Sequence, residues 1–399
     1  MDKNKGVLQG MVVLDLTRVL AGPYCAMLFA DMGADVIKIE PLGKGDDSRA
    51  FAPMVNGESA YYMNLNRNKR SITLNLKSAE GQALFKKMVA GADVVLENYR
   101  PGTMEKLGLG YDTLKEINPG LIYGCVSGFG HYGPYASRGG YDIIGQAMGG
   151  LMSTTGWPGG EPTRTGTAMG DVLAGLSVAV GVLAAYNHKL RTGQGQKVDV
   201  ALVDSVVSSL EIINQIYLAT GRIPERIGNR YESCYPYDSF KASDGSLIIA
   251  CGNDKLWRIL CGLIGREDLV EDARFATNPL RVQNHAELKP LVEEWLHELK
   301  VQDAVDRMLA AGVPASPIYD ISQVAADEHI AKVREMFVEM EHPKAGRLRV
   351  TGNQIKFSEN PVQIRVPSPL LGQHNEEIYC DALGLSREEY EDYVSRGII

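Results

Sequence analysis

Residues 11–40, MVVLDLTRVLAGPYCAMLFADMGADVIKIE, decide the fold class. The apolar run 11–16 predicts a buried strand, and 23–32 has the composition of a helix that Gly33 can end. Residues 36–40 then alternate with the period of two that is typical of a strand. A strand, a helix and a strand in direct succession predict a parallel pair joined by a crossing helix.

The same alternation continues through the first two hundred residues. Further strands are predicted at 71–76, 93–97, 121–126 and 197–200. Helices are predicted at 78–89, 141–152, 171–190 and 203–218. Strands separated by helices predict that residues 1–200 form a large Rossmann-like α/β domain, with a mostly parallel sheet covered on both faces.

The pattern changes after residue 200. Residues 201–236 end in a stretch with aromatic side chains and Pro236, and we expect a linker there. Residues 237–325 hold two short strand patterns followed by amphipathic helices, which predicts a smaller α+β domain. Residues 326–370 have few helix signals and several prolines, which indicates a return linker.

Composition narrows the class of protein. The 399 residues are 45% hydrophobic and 23% charged, which excludes a disordered chain, a coiled coil and a collagen-like repeat. The net charge of −8 lacks the basic footprint of a nucleic-acid binder. We therefore expect no nucleic-acid partner, while local basic sites for phosphates stay open.

Cysteine usage and the apolar runs favour a cytoplasmic protein with no membrane segment. The six cysteines include no CxxC pair, so free, mostly buried thiols are expected. The N-terminus 1–5 is polar, and no signal-peptide core follows it. The longest apolar stretch, 172–186, is shorter than the ~20 residues that a membrane span needs, and it predicts a buried helix.

A glycine-rich loop, 128–133 (GFGHYG), follows one predicted strand. Its spacing fits the G-x-G-x-x-G of dinucleotide sites, which also need a helix that opens at the loop. Pro134, Gly139 and Gly140 follow instead, which disfavours a nucleotide cofactor. A loop at the carboxyl end of a strand can still hold another ligand.

Asp171 ends the small-residue segment 166–171 (GTAMGD), directly before a long apolar helix. Aspartate is a favoured N-cap, and this structural role alone explains the position. A carboxylate between small residues and a buried helix could also be reached from one side and act as a nucleophile. The position by itself favours the cap and leaves the nucleophile open.

Two polar segments lie next to predicted strands. Residues 64–70 (NLNRNKR) precede one strand, and 98–102 (NYRPG) follow another and lead to Lys106. Each alone is typical of a turn with solvated charges. Together they would bring cations and an aromatic ring to neighbouring strand ends, which suits a ligand that carries phosphates and a ring.

Other common catalytic signatures are missing from the sequence. The seven histidines form no HExxH and no paired His/Cys spacing, so we predict no metal site. No G-x-S-x-G elbow of a serine hydrolase occurs. For His131 in the glycine-rich loop, a local hydrogen bond is the expected role.

An ordered set of short motifs runs along the whole chain. The motifs are 13–23 (VLDLTRVLAGP), 33–40 (GADVIKIE), 45–49 (GDDSR), 68–72 (NKRSI), 97–102 (ENYRPG), 170–171 (GD), 312–314 (GVP) and 369–374 (PLLGQH). In this order they resemble the family III CoA-transferases, the group of formyl-CoA transferase and carnitine CoA-transferase. The resemblance reverses the preference at Asp171, because the matching family aspartate is the catalytic one.

The resemblance implies covalent catalysis with CoA thioesters as substrates and no permanently bound cofactor. Asp171 would attack a donor acyl-CoA, and an anhydride and an aspartyl-CoA thioester would follow before the acceptor acid takes the CoA. Water must be excluded, because anhydrides hydrolyse. In the family a glycine-rich loop of the small domain covers the site. The corresponding segment 251–254 (CGND) has a single glycine, so what covers the site here is open.

The resemblance also implies a CoA site and an assembly. The residues expected to line CoA are Arg18, Leu20, Ala21, Leu74, Lys77, Asn98, Tyr99, Arg100, Lys106, Arg138 and Tyr141. The family forms homodimers of two interlocked rings, in which residues 371–399 would return to complete the large domain.

Two alternatives are weighed against the transferase. The α-methylacyl-CoA racemases share the fold and the aspartate, but their Gly-His-Asp histidine base is replaced here by Tyr141. A tyrosine with a pKa of about 10 is a poor base near neutral pH, which argues against a racemase. A non-catalytic acyl-CoA-binding protein is disfavoured by the intact Asp171 and its loop.

Substrate preference rests on finer similarity. Segments 45–47, 102–108 and 251–256 look most like acetyl-CoA:oxalate CoA-transferases, whereas 341–343 and 369–374 also resemble succinyl-CoA:glutarate transferases. Carnitine-like and 2-hydroxy acids are alternative acceptors, and formyl-CoA is a further donor. Because oxalate and glutarate are dicarboxylates, Arg164 is a candidate partner for a distal carboxylate, with a plain surface arginine as the alternative.

Overall fold

The computed structural model describes residues 6–399, so the polar N-terminus 1–5 lies outside the described residues. The contacts between residues divide the chain into two compact units. The first unit takes the residues up to Met152, together with Arg164–Arg222 and Glu328–Ile399. The second unit takes Ser153–Thr163 and Ile223–Asp327.

The strands are β1 (Val12–Asp15), β2 (Asp35–Glu40), β3 (Met54–Val55), β4 (Glu58–Ser59), β5 (Arg70–Thr73), β6 (Val94–Glu97), β7 (Ile122–Ser127), β8 (Lys197–Ala201), β9 (Tyr237–Lys241), β10 (Ser246–Ala250), β11 (Ala315–Pro317), β12 (Phe337–His342) and β13 (Gly346–Thr351).

The α-helices are α1 (Ala21–Asp31), α2 (Ala60–Leu65), α3 (Ala79–Val89), α4 (Thr103–Lys106), α5 (Tyr111–Ile117), α6 (Asp142–Met148), α7 (Leu151–Thr154), α8 (Met169–Thr192), α9 (Leu202–Ser209), α10 (Glu211–Thr220), α11 (Asp254–Leu263), α12 (Asp268–Glu271), α13 (Asn278–Gln283), α14 (His285–Leu296), α15 (Val301–Ala310), α16 (Ile321–Ala326) and α17 (Arg387–Ser395). A 3₁₀ turn at Asp47–Ala50 and π-helical segments at Glu328–Val333 and Glu377–Ala382 complete the elements.

A parallel sheet organises the first unit. Its strand order is β5-β2-β1-β6-β7-β8, and every neighbouring pair is parallel. Counted along the chain, these six strands run 3-2-1-4-5-6, which is the doubly wound order. The order reverses between β1 and β6, and ligands bind outside the carboxyl ends of the strands at such a point. The predicted α/β fold with a parallel sheet is confirmed.

Apolar clusters cover both faces of the sheet. Val13 belongs to one buried cluster and its neighbour Leu14 to the other, because successive side chains of a strand point to opposite faces. Phe29 of α1 and Val178 of α8 complete the first cluster, and Phe85 of α3 the second. The sheet is thus covered on both faces, as its apolar strands predicted.

The helix α8 is longer than the apolar stretch that predicted it. By length and composition it could cross a membrane, whereas 39% of its most apolar window is buried inside the protein. Gly175 lets it approach α1, since a Cβ at this position would lie 2.7 Å from the carbonyl oxygen of Ala21. The packed side of α8 therefore belongs to the core of the first unit.

The helix predicted at 203–218 is wrong as a single element. The chain forms α9 and α10 instead, which are bent by 77° relative to each other. Asn214 Nδ2 donates to Val207 O at 2.7 Å, and the Ser209 hydroxyl donates to Val206 O at 2.7 Å. These side chains bind carbonyls at the end of α9 and replace the hydrogen bonds that a continuous helix would make.

The end of the chain packs into the first unit. Ile378, Tyr379, Ile398 and Ile399 lie in the second apolar cluster, and the Tyr379 hydroxyl donates to Thr73 O at 2.8 Å. The division by contacts differs from the linkers predicted at 201–236 and 326–370. It assigns α9, α10 and the antiparallel hairpin β12–β13 to the first unit. Within α9, the apolar side chains of Leu202 and Val206 are buried.

The second unit has its own core. An antiparallel sheet with the order β11-β10-β9 packs with helices such as α11, α14 and α15. Trp257, Leu288 and Met308 are buried in its apolar cluster. The strands and helices predicted for the smaller α+β domain are present.

Candidate active site

Asp171 lies in the first turn of α8, three residues after the N-cap residue Ala168. The cap interpretation of Asp171 is therefore wrong. The acceptor is the carboxylate of Asp142, whose Oδ1 accepts from the amides of Gly170 at 2.8 Å and Asp171 at 3.3 Å. Within residues 6–399, the side chain of Asp171 has no hydrogen bond or ion pair, so its carboxylate is available for chemistry.

The surroundings of Asp171 make it an unusual carboxylic acid. Burial, and then the negative charge of Asp142, raise its pKa to about 7. The neighbouring phenol of Tyr61 has its pKa raised to about 12 by burial, with the charge of Asp171 as the next cause. A carboxylate of raised basicity beside a neutral phenol is suited to attack an electrophilic carbon.

Gln146 supports the loop that leads to Asp171. It is fully buried, and its Nε2 donates to Asp142 Oδ2 at 2.7 Å. Its Oε1 accepts from the amide of Thr165 at 3.0 Å. Asp142 and Gln146, four positions apart on α6, therefore hold both the start of α8 and the chain before it.

The loops after β1 and β6 meet at the reversal point of the sheet. The amide of Arg18 donates to Asn98 Oδ1 at 2.9 Å, and Asn98 Nδ2 donates back to Arg18 O at 2.8 Å. The guanidinium of Arg18 lies 5.8 Å from the ring centre of Tyr99. An exposed cation and an aromatic ring thus share the edge where a ligand is expected.

The loop after β1 is held in a strained conformation. Val19 has a φ of 67°, which is rare for a β-branched residue. Its amide donates to Asp46 Oδ1 at 3.1 Å, and the buried Lys38 pairs with Asp46 Oδ2 at 2.9 Å. The Lys38 ammonium lowers the pKa of Asp46, so the buried carboxylate stays ionised and supports the loop.

The structure brings two further predicted segments together. A Cβ on Gly139 would lie 3.2 Å from Arg100 Nη2, and one on Gly140 would lie 2.3 Å from Gly128 Cα. The segment that ends at Tyr141 therefore packs against both the loop after β6 and the glycine-rich loop. Tyr141 itself is 79% exposed and precedes α6.

The other predicted CoA residues are more dispersed. Leu20 is half-buried, Ala21 is buried, and Leu74 lies in the second apolar cluster, so these could offer mainly backbone to a ligand. Lys77 and Lys106 are exposed and make no described hydrogen bond to Arg18 or Asn98. The guanidinium of Arg138 lies 3.7 Å from the ring centre of Tyr135.

The cations Arg67 and Lys69 of the basic loop 64–70 are neither solvated nor free to bind a ligand. Both interpretations of these charges from the sequence are therefore wrong. Arg67 pairs with Asp31 at 2.8 Å and Lys69 with Asp15 at 2.9 Å, and all four side chains are at most 1% exposed. These ions serve the interior of the first unit rather than solvent or a ligand. A sequence pattern does not reveal the buried partners, which lie far away along the chain.

Sequence reasoning missed a buried cluster behind the loop after β6. Glu97, Cys125 and His131 bring one ligand atom each within 4.8 Å of one another. Lys197 Nζ lies 3.0 Å from His131 Nδ1, which therefore accepts, and the proton on Nε2 faces Glu97 Oε1 at 3.6 Å. The ammonium and this tautomer oppose a bound cation, so the group fits a metal centre poorly.

Glu97 has a structural role in the candidate site. Its Oε2 accepts from the amide of Tyr99 at 2.8 Å, and burial raises its pKa to about 7. The carboxyl group thereby fixes the start of the loop that carries Asn98. The signal in the sequence was an acid at the end of an apolar strand.

Two other predicted features have defined surroundings. In segment 251–254, Asn253 is the N-cap of α11, and its Oδ1 accepts from Leu256 N at 3.0 Å. The segment therefore begins a helix. Arg164 is exposed and has no hydrogen bond or ion pair within the described residues.

Comparison with known proteins gives a consistent answer. The family model of CoA-transferase family III matches residues 8–375. An acetyl-CoA:oxalate CoA-transferase from Acetobacter aceti is 42% identical, with 89% of this chain and 90% of that protein covered. A succinyl-CoA–D-citramalate CoA-transferase from Chloroflexus aurantiacus is 40% identical, with 96% and 95% covered.

A solved structure agrees with these sequence relatives. A CAIB/BAIF family protein from Brucella suis superposes with a TM-score of 0.83 at 40% identity, over 94% of this chain and 99% of that chain. The match includes both the sheet and the smaller unit, since almost the whole chain is covered. The chain therefore belongs to CoA-transferase family III, a family of enzymes that use CoA thioesters as substrates.

Proposed function

We propose that this protein moves CoA from a small acyl-CoA, such as acetyl-, formyl- or succinyl-CoA, to a small dicarboxylic acid such as oxalate, with Asp171 as the nucleophile. The observation that carries the proposal is the half-buried, unpaired carboxylate of Asp171 with a pKa raised to about 7. A carboxylate of this kind is a stronger nucleophile than a solvated one. The proposed chemistry needs no resident cofactor.

The reaction would proceed through four exchanges at Asp171. Its carboxylate attacks the thioester carbon of the donor, the C–S bond breaks, and a mixed anhydride and CoA thiolate form. The thiolate attacks the aspartyl carbon, releases the donor acid and leaves an aspartyl-CoA thioester. The acceptor carboxylate displaces the thiolate to give a second anhydride. The thiolate then takes the acceptor acyl group and frees Asp171.

The CoA moiety would lie along the carboxyl ends of β1 and β6. Arg18, Arg100 and Arg138 are exposed cations near this edge and would pair with the phosphates. Tyr99 offers a ring, and the loop held by Asn98 offers backbone. Lys77 and Lys106 are further proposed partners of the phosphates, since long exposed side chains can reach a ligand that the nearer loops bind.

A dicarboxylate acceptor is supported by the relatives. The names of two of them specify oxalate and D-citramalate, and both acids carry two carboxylates. We propose Arg164, seven residues before Asp171, as the partner of the distal carboxylate. Arg164→Ala should raise the KM for oxalate at least tenfold and leave the KM for acetyl-CoA unchanged. An unchanged KM for oxalate would exclude this role.

The nucleophile is tested by trapping. Wild type and Asp171→Asn are mixed with acetyl-CoA or succinyl-CoA, treated with hydroxylamine, and measured by intact-protein and peptide mass spectrometry. We expect a hydroxamate at Asp171 in wild type only. A modification elsewhere, or none with either donor in a protein that nevertheless converts oxalate to oxalyl-CoA, would show that Asp171 is not the nucleophile.

The pKa of Asp171 predicts the pH dependence of the first half-reaction. Only the ionised form attacks, so kcat/KM for the donor should rise with pH through about 7 and then level off. The measurement is the acylation rate in stopped-flow or quenched-flow experiments between pH 5 and 9. A flat profile across pH 6 to 8 would contradict the assignment.

We also propose that two copies form the working enzyme in the cytoplasm. Helix α10 has no buried residue, and its Tyr217 and Leu218 are 55% and 71% exposed. Such an apolar face needs cover, which a second chain can supply. Light scattering after size exclusion should give twice 43.5 kDa. A monomer at micromolar concentration would exclude the homodimer.

A further inference from the structure

Asp142 and Asp171 are neighbouring carboxylates with opposite surroundings. Asp142 accepts hydrogen bonds from Gly170 N at 2.8 Å, from Asp171 N at 3.3 Å and from Gln146 Nε2 at 2.7 Å. Asp171 receives no side-chain hydrogen bond within the described residues. One acid of the pair is thus fully engaged, and the other is kept unengaged.

Because Asp142 accepts hydrogen bonds from the first amides of α8, the carboxylate of Asp171 does not have to accept them. The first amides of a helix need acceptors, and an acid in the first turn of its own helix often supplies one. Here Ala168, the N-cap residue, offers no side-chain acceptor, and Asp142 reaches in from α6. Gly170 leaves room for this approach, because a Cβ there would lie 3.1 Å from Asp142 Oδ1.

Gln146 fixes the side chain of Asp142. Its Oε1 faces the amide and the hydroxyl of Thr165 at 3.0 and 3.2 Å, so its Nε2 must face Asp142 and the carbonyl oxygen of Thr167. These contacts allow one orientation of the amide. The network therefore joins α6, the loop before α8 and the first turn of α8.

We propose that Asp142, held by Gln146, is the positioning residue for the reacting carboxylate: it caps α8 from a neighbouring helix and thereby keeps both oxygens of Asp171 free for the donor acyl group. The inference rests on the proposed function of Asp171 and extends it to residues that touch no substrate. Neither Asp142 nor Gln146 is a catalytic residue in this scheme.

The charge of Asp142 has a second effect. Together with burial, it raises the pKa of Asp171, and a more basic carboxylate is the better nucleophile once ionised. Among the described residues, Tyr61 of α2 also faces Asp171. Because Tyr61 stays neutral at the working pH, Asp142 is the charged neighbour that adds to the effect of burial on the pKa of Asp171.

Two variants separate the effect of the charge of Asp142 from the effect of its hydrogen bond with Gln146. Asp142→Asn keeps the size but loses the charge, and its single oxygen cannot serve both α8 and Gln146, because its amide would face another donor. Gln146→Met keeps the charge of Asp142 and removes the hydrogen bonds that join Gln146 to Asp142 and Thr165. Asp112→Asn is the control, since it removes an exposed first-turn acid from a different helix, α5.

The first readout does not depend on activity. Carboxyl-¹³C NMR of aspartate-labelled protein, with Asp171→Asn as the reference for assignment, follows the titration of Asp171 itself. Asp142→Asn should lower this midpoint by about one pH unit. Gln146→Met and Asp112→Asn should leave it within a few tenths of a unit of wild type.

The second readout is the single-turnover acylation rate with acetyl-CoA between pH 5.5 and 9. Both Asp142→Asn and Gln146→Met should lose about tenfold or more at pH 9, because a small misplacement of a nucleophile is costly. For Asp142→Asn the loss should shrink toward pH 6, where its lower midpoint leaves more carboxylate ionised. For Gln146→Met the loss should be independent of pH.

A double variant checks that the contact itself matters. In Asp142→Asn/Gln146→Glu the donor and acceptor roles are exchanged, so the pair can bond again, and we expect part of the rate lost in Asp142→Asn to return. Circular dichroism and thermal unfolding accompany each variant. If Asp142→Asn does not fold, the pH-independent loss of acylation rate in Gln146→Met still tests whether the hydrogen bonds of Gln146 position Asp171.

The outcomes are distinct. An unchanged Asp171 midpoint in Asp142→Asn overturns the electrostatic role, and wild-type acylation rates in folded Gln146→Met overturn the positioning role. If wild type itself gives no adduct at Asp171 while the NMR midpoint still responds to Asp142→Asn, the proposed function fails and the link between the two acids stands.

Discussion

At the scale of single residues, Glu97 and Asp171 share a raised pKa of about 7 but differ in what their carboxyl groups touch. Glu97 accepts from Tyr99 N and from the hydroxyl of Tyr123 at 3.3 Å, whereas Asp171 is unengaged. Burial favours the neutral acid in both cases. Both raised pKa values make stability depend on pH, and the raised pKa of Asp171 also makes the reaction rate depend on pH.

Glu97→Gln should stabilise the protein more as the pH rises. A folded-state pKa of about 7 lies above the usual 4.5, so the favourable contribution of Glu97 is complete below pH 4.5 and is lost by about pH 7. Glutamine cannot ionise, so its free energy of unfolding relative to wild type should rise by up to about 3 kcal/mol between pH 4.5 and 8. Urea unfolding at several pH values measures this difference.

Titratable groups that face Glu97 include Tyr123, His131, Lys197 and Glu105, so the control must leave all of them in place. Glu116→Gln, on the exposed side of α5, is the matched control, and its effect should be the same at every pH. A Glu97→Gln difference that is equally flat would show that Glu97 is ionised in the folded protein at pH 5.

The sequence identified Asp171 but not its neighbours. The aspartate follows a recognisable small-residue segment, whereas Asp142 matters only because α6 brings it to an amide 28 positions further along the chain. Lys69 illustrates the same limit, since its partner Asp15 is 54 positions away. Local patterns carry residue type and spacing, and pairings of this kind are set by tertiary packing.

At the scale of elements, α8 connects the core to the candidate site. Gly175 lies one turn after Asp171 and faces α1, where a Cβ would meet the carbonyl oxygen of Ala21 at 2.7 Å. Backbone cannot yield easily, so an added methyl group must push the two helices apart. The displacement would reach Asp171 through the same rigid helix.

Gly175→Ala should lower the free energy of unfolding by roughly 1–3 kcal/mol and slow the acylation step. Gly262→Ala is the control: it lies in α11 with nothing within 4 Å of a built Cβ, and alanine there should stabilise by roughly 0.5–1 kcal/mol. Urea unfolding and the trapping assay measure both effects. Equal responses of the two variants would mean that contact with α1 is not decisive.

Periodicity located the strands of the parallel sheet well and the helix breaks poorly. The strand predicted at 36–40 is β2 (Asp35–Glu40), because alternation and burial act within one strand. The break at Leu210 depends on Asn214 and Ser209 binding carbonyls of α9, an alternative that apolar spacing does not reveal.

At the scale of the whole molecule, the first unit is built from pieces that are distant along the chain. The final segment Glu328–Ile399 belongs to it, and Ile398 is 5% exposed in its second apolar cluster. Ile398 O also accepts from Asn75 N at 2.9 Å. The end of the chain therefore contributes to the stability of the first unit.

Ile398→Ala should cost about 2–5 kcal/mol of unfolding free energy, as a large-to-small change in a core does. Val394→Ala is the surface control, since Val394 is 46% exposed, and it should change stability by no more than about 0.5 kcal/mol. Equilibrium unfolding in urea compares them. A loss below about 1 kcal/mol in Ile398→Ala would indicate that the segment is only loosely attached.

The insertion of Ile223–Asp327 between parts of the first unit sets an order for biosynthesis. When the ribosome has finished β8 and α9, roughly a hundred further residues must be translated before Glu328 appears. Ile398 itself follows α9 by almost two hundred residues, so at roughly 5–20 residues per second the nascent sheet waits on the order of 10–40 s with the surface for Ile398 uncovered. The second unit can therefore fold while the first unit is still incomplete.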